Sequence, residues 1–135
     1  MISATIVTKA QFYDLDPMDV VWHGNYARFL EQARTELMEK IGYSFKEMRD
    51  SGYLWPIVDF RIKYVRPIRF GREFSVEATV MEYENRLRID YRIRDQETGE
   101  VLTKASTIQV AVLAESGELC LECPAALTDK LSNRT

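Results

Sequence analysis

Histidine is almost missing from this chain: one stands among 135 residues, beside two cysteines, four prolines and six glycines. Each shortage closes a class of chemistry. A structural zinc site takes four ligands, and the one cysteine pair, Cys120 and Cys123 in "LCLEC", has no second pair to complete it. The two are read as reduced thiols without a function, and no metal or cofactor is expected. No serine stands in a G-x-S-x-G context, and no glycine-rich phosphate loop is present. Long apolar runs are absent as well. The opening "MISATIVTKAQF" has no basic region followed by an apolar stretch, so neither a signal peptide nor a membrane span is expected there, and the expected location is cytoplasmic. Positive charge is not in excess: 18 Lys and Arg face 21 Asp and Glu, for a net charge of −3, and both signs are interspersed. A polyanion would find no basic stripe, so neither nucleic acid nor membrane is expected as a partner.

Apolar material is plentiful, at 46% of residues with seven Tyr, six Phe and two Trp. That supply and the length fit one domain over residues 1–135, with no repeat or linker to divide it. Residues 4–12 alternate as a strand does. From Asn25 the period changes: Tyr26, Phe29, Leu30, Ala33, Leu37 and Ile41 recur at helical spacing, with Asn25 placed to cap the helix and Gly42 to stop it. "SFKEMRDSG" reads as a short helical turn between Ser44 and Gly52. Strand patterns then run from Val58 to Phe70, through Phe74–Val80, Leu87–Ile93 and Ile108–Val112, with hairpin turns at "YENR", "DQETGE" and "AESGE". Pro124 and "AALTDKL" give a short terminal helix. One long helix and four or five long strands predict an α+β domain, an antiparallel sheet wrapped around a single helix. One helix cannot cover such a sheet, so a bare edge is expected to pair with a second copy, giving a homodimer or homotetramer.

The densest chemistry lies in "DLDPMDVVWHGNYARFLEQAR", residues 14–34, where three aspartates and the lone histidine precede the long helix. The first amides of a helix lack intrahelical acceptors and present partial positive charge. An oxygen gaining negative charge can be held there. Asp16, its backbone restricted by Pro17, would set a carboxylate beside those amides, which is what acyl transfer needs: a nucleophile or base, and a hole for the oxyanion. The same D-x-D-P spacing also serves as turn and capping chemistry. His23 has two readings too, a bond to a loop carbonyl or a group that orients water or a thioester carbonyl.

The stretch "FYDLDPMDVVWHGNYARFLEQARTELMEKIG" closely resembles the opening of hotdog-fold thioesterases of the 4-hydroxybenzoyl-CoA thioesterase type, whose pattern is roughly Y-x-D-x-D-x-x-G-V-V-x-H-x-N-Y followed by E-x-A-R. "IKYVRPIRFGREFSVEATV" resembles the strand region that follows, so the likeness runs from about Thr5 to Val112. It implies a hotdog fold of about five strands around a central helix, dimerised side by side with the active site at the interface. Asp16 takes the position of the catalytic carboxylate, and the amide at His23 that of the group polarising the thioester carbonyl. Asn25 and Tyr26 match the N-Y pair and would shape the substrate pocket. Arg86 and Arg88 stand where the family tends to place cations near the phosphates of CoA; as residues alone they are equally served by solvent or by acidic neighbours. One departure stands out, Asp19 where the family commonly has glycine, which puts loop geometry and acyl specificity in question. The implied reaction is hydrolysis of an acyl-CoA or acyl carrier protein thioester to free acid and thiol, with Asp16 attacking the carbonyl or deprotonating water. A hydratase or dehydratase on this fold would need an H-F-P triplet that the chain lacks. A non-catalytic acyl-binding module is the other alternative.

Overall fold

A computed structural model describes residues 1–132. Strand β1 (Ser3–Lys9) leads into the long helix α1 (Tyr26–Lys40), then α2 (Phe45–Ser51), β2 (Tyr53–Leu54), β3 (Ile57–Tyr64), β4 (Glu73–Glu82), β5 (Leu87–Asp95), β6 (Val101–Gln109), β7 (Val112–Leu113) and α3 (Ala125–Ser132). The five long strands form one antiparallel sheet in the order β1-β4-β5-β6-β3, and β2 pairs with β7 in a small second sheet. Among the described residues no helix is long and apolar enough to cross a membrane.

The period-two pattern sorts each strand by face. Phe74, Val76, Ala78 and Val80 of β4 and Leu87, Ile89, Tyr91 and Ile93 of β5 are buried on the side that meets α1, whose Phe29, Leu30, Ala33 and Leu37 are buried in return. Phe29 sets its ring edge-on to Phe74 at 5.0 Å, a geometry that adds about 0.5–1.5 kcal/mol to burial alone. Helix α2 begins as its letters indicate: Ser44 and Glu47 form a capping box, and Gly52 closes the helix at φ +86°.

Two expectations need correction. Phe12 does not continue β1: the strand stops at Lys9, a 3₁₀ turn spans Phe12–Asp14, and Phe12 is exposed. The strand begun near Val58 does not reach Phe70. It ends at Tyr64, where the amides of Val65 and Arg66 both donate to Leu102 O and Pro67 offers no further donor, so Ile68 turns into the core while Phe70 faces out. Apart from the partly buried Ile62, the apolar residues of β3 are poorly covered in the single chain. β3 has a neighbour on one side only, and Ile57, Val58, Phe60 and Tyr64 remain exposed.

Candidate active site

The site is built on a loop tied at both ends. Asp14 is buried, and its carboxylate accepts the Gln11 amide at 2.8 Å and pairs with the Arg28 guanidinium on α1. Its carbonyl oxygen takes two more bonds, from the Trp22 amide at 2.9 Å and from Asn25 Nδ2 at 2.8 Å. One residue thereby holds the exit of β1 against the entry of α1. Asn25 precedes α1 as expected, yet its side chain does not cap the helix; its amide is spent on Asp14, and its backbone is already helical.

Between those anchors lies a tight reversal. Leu15 bridges Val21, the Asp16 amide donates to Val20 O at 2.9 Å, and the Asp19 amide donates to Asp16 O at 3.0 Å. A turn of this kind closes with a left-handed residue, and Asp19 takes that role at φ +62°, the one non-glycine with positive φ among the described residues. Aspartate tolerates the conformation better than most side chains, so the turn forms without the glycine usual at this position. The half-buried Asp16 carboxylate uses Oδ1 to accept the Met18 amide at 2.8 Å. That bond fixes the carboxylate and leaves Oδ2 for other work.

The segment paired with this turn runs into the helix. Trp22 is extended, a 3₁₀ turn covers His23–Asn25, and α1 follows without a break. The Asn25 amide donates to Trp22 O at 2.9 Å and the Tyr26 amide to His23 O. The amides of His23 and Gly24 thus open the helical run, where a helix has no acceptor of its own to offer. The Trp22 indole lies over Gly24 so closely that a Cβ there would come within 2.4 Å of it. His23 is exposed, its ring 5.2 Å from that indole. Tyr26 is buried, edge-on to Tyr64 at 4.8 Å. Its phenol is raised above the usual tyrosine range by burial first and by Tyr64 next, with Asp16 near enough to contribute. Tyr64 Oη donates to His23 O at 3.1 Å, stapling the end of β3 to the helix mouth.

Asp16, His23, Asn25 and Tyr26 therefore share one place; Arg86 and Arg88 do not join them within a chain. Arg88 pairs in register with Ile108, whereas Tyr64 at the mouth pairs with Thr103, so about 17 Å of strand separates them at about 3.3 Å per residue. Arg86 bonds Glu82 and Arg88 bonds Asp90, at 3.1 and 3.0 Å. Cys123 is buried with its thiol pushed up to about 11, burial being the main cause. Three features escape a reading of the sequence: the Asp14–Arg28 tie, the reach of Tyr64 to the mouth, and a cavity of about 430 Å³ between α1, α2 and β2 whose lining includes Gln109. Each joins residues far apart in the chain without a local signature.

Comparison with known proteins gives a consistent result. The sequence profile of the Thioesterase-like superfamily matches residues 10–131. A protein of Bacillus subtilis (strain 168), YneP, provisionally named an acyl-CoA thioesterase, is 29% identical over 109 residues, covering 80% of this chain and 78% of that one. A solved DHNA-CoA thioesterase from Staphylococcus aureus is 29% identical with a TM-score of 0.81, covering 90% of this chain and 81% of its own. A mutant 4-hydroxybenzoyl-CoA thioesterase complexed with 4-hydroxybenzoyl-CoA shares the fold at a TM-score of 0.82 and 21% identity, over 95% of this chain and 97% of that chain.

Proposed function

The chain belongs to the thioesterase-like superfamily and has its hotdog fold, and from that premise we propose that it hydrolyses acyl thioesters, with the Asp16 carboxylate working on a carbonyl polarised by the first amides of the α1 helical run. The observation that carries this is the tight reversal at residues 15–21, which sets the fixed Asp16 carboxylate alongside the segment that opens into His23 and Gly24.

A thioester carbonyl is poorly stabilised by its sulfur and needs modest activation. An oxyanion formed at the helix mouth gains roughly 3–4 kcal/mol from a well-placed donor, and general-base help adds about 10²- to 10⁴-fold. Two balanced routes use the same groups. In one, Asp16 Oδ2 attacks the carbonyl carbon, the C–S bond breaks with the pair leaving on sulfur, and water hydrolyses the mixed anhydride. In the other, Asp16 takes a proton from water, the hydroxide adds to the carbonyl, and the proton follows the departing thiolate. His23 contributes its backbone amide, and Asn25 and Tyr26 shape the pocket wall around the carbonyl.

The unit that acts is a dimer formed through β3. Its free edge and exposed Val58 and Phe60 are the surface such a pairing would cover. Centred two-fold pairing runs the strands antiparallel, which brings the helix mouth of the partner subunit, held by its Tyr64, to the Ile57 end of this β3. Arg86 and Arg88 belong to that same end of the sheet. Their exposed ion pairs are weak, so a diphosphate handle of CoA can take the guanidinium forks in exchange. Free-thiol release from a panel of acyl-CoA and acyl carrier protein thioesters tests the proposal: turnover of at least one class is expected, and release from none of them, with binding retained, would leave an acyl-binding module instead.

A further inference from the structure

We infer that Tyr64 is a positioning residue for the thioester reaction: its hydroxyl, bonded to the His23 carbonyl, polarises the amide group whose other end is the Gly24 N–H, and so makes Gly24 a donor to the oxyanion. The inference rests on the hydrolase reading and adds to it a second donor and the side chain that stands behind it.

The mouth has few amides to offer. That of Trp22 is spent on Asp14 O, that of Asn25 on Trp22 O and that of Tyr26 on His23 O. Between Trp22 and Tyr26, only His23 and Gly24 keep N–H groups without an acceptor among the described residues. The two differ in what lies behind them. The peptide group that carries the His23 N–H has its oxygen, Trp22 O, bonded by the Asn25 amide at 2.9 Å. The group that carries the Gly24 N–H has its oxygen, His23 O, bonded twice, by the Tyr26 amide and by Tyr64 Oη at 3.1 Å. Each bond accepted at an amide oxygen draws electron density from the nitrogen and strengthens its N–H as a donor, by about 10–30% per bond. Gly24, moreover, has no side chain of its own to crowd an oxygen arriving at its amide.

Tyr64 reaches His23 across 41 positions of the chain. It is the last residue of β3, and its ring meets the buried Tyr26 edge-on at 4.8 Å and 88°, so the phenol is aimed before substrate arrives. A bond that only staples the loop would be equally strong with and without substrate. Here, as negative charge gathers on an oxygen held by the Gly24 N–H, the His23 carbonyl becomes the better acceptor. The bond from Tyr64, long for a hydroxyl donor, then tightens. Interactions that strengthen toward the transition state raise kcat rather than affinity. Removing a whole oxyanion donor costs about 10²- to 10³-fold, and a tenth to three-tenths of that free energy is about two- to eightfold.

The test is Tyr64→Phe, which keeps the ring against Tyr26 and removes the hydroxyl. On benzoyl-CoA, or on hexanoyl-CoA where the benzoyl thioester does not bind, kcat is expected to fall about two- to eightfold with KM little changed. A second readout separates polarisation from a structural role. The infrared carbonyl stretch of the same thioester, labelled with carbon-13 at the carbonyl and bound to Asp16→Asn, should move to higher frequency when Tyr64→Phe is added. Tyr64 replaced by 3-fluorotyrosine, a stronger hydroxyl donor, should move that band the other way. A kcat within error of wild type, or a band that stays in place, would overturn the inference and leave Tyr64 as a loop staple in an intact hydrolase. Wild type that binds the thioesters without turnover would sink the hydrolase reading instead. The band then decides the inference alone: a shift with Tyr64→Phe supports it, and none overturns it.

Discussion

At the scale of single residues, the three aspartates of the loop divide three tasks that their identical side chains do not announce. Asp14 is buried and fully engaged, Asp16 holds the Met18 amide with one carboxylate oxygen, and Asp19 supplies a left-handed turn. The division has a measurable asymmetry. Arg28→Ala leaves the Asp14 charge buried with only the Gln11 amide as support, and is expected to cost about 3 kcal/mol, as breaking a buried pair does. Asp14→Ala leaves behind a half-exposed guanidinium that water can serve, and should cost about 2 kcal/mol through the lost bond and the loosened loop. Urea unfolding of both variants checks the order. The catalytic assignment within this run came from the family resemblance, because D-x-D-P by itself serves a turn equally well. The Asp14–Arg28 tie was not legible at all, since Arg28 reads simply as one of the polar residues on the outward side of a helix.

At the scale of elements, the hairpin between β5 and β6 shows how one side chain sets a strand end. The Asp95 carboxylate accepts the amides of Glu97 and Thr98, at 2.9 and 3.0 Å, and the Arg72 guanidinium, with Nε at 2.9 Å. These partners, the Thr98 amide foremost, hold it below the usual carboxylate range. A carboxyl whose folded pKa is lowered gives its stabilisation in full above the unfolded value, near 3.9, and loses it as pH falls below that toward the folded one. Asp95→Asn should therefore be less stable than wild type at pH 7, with the gap narrowing between pH 4 and pH 3 in urea melts. Strands β4 and β5 were legible because one of their faces is buried by α1 within the chain, so their alternation matches their burial. Strand β3 alternates just as well, yet all its apolar residues but Ile62 stay exposed. Periodicity reports that a face is meant to be covered, and not by which chain. The end of β3 is masked in the sequence for a local reason: Ile68 and Phe70 keep a two-residue spacing on either side of Arg69 in a segment that Pro67 has already taken out of the ladder.

At the scale of the whole molecule, the single chain holds its helix mouth at the Tyr64 end of β3 and leaves the edge of that strand bare, and antiparallel pairing of two copies through β3 would bring each mouth to the Ile57 end of the other's strand. Sedimentation should show a dimer or a larger even assembly. Val58→Lys with Phe60→Lys should release monomers that keep their far-UV circular dichroism, because both side chains are exposed in the lone chain, and thiol release should fall with the dimer; monomers of full activity would place the site within one chain. The central claim is narrower and more direct: the Asp16 carboxylate acts on a thioester carbonyl held at the opening amides of α1. Asn in its place keeps the shape and the acceptor for the Met18 amide, and removes only the charge and its basicity. Thiol release by Asp16→Asn on the best acyl-CoA substrate is expected to drop about 10²- to 10⁴-fold with an unchanged melting curve, and turnover within a few fold of wild type would contradict the account.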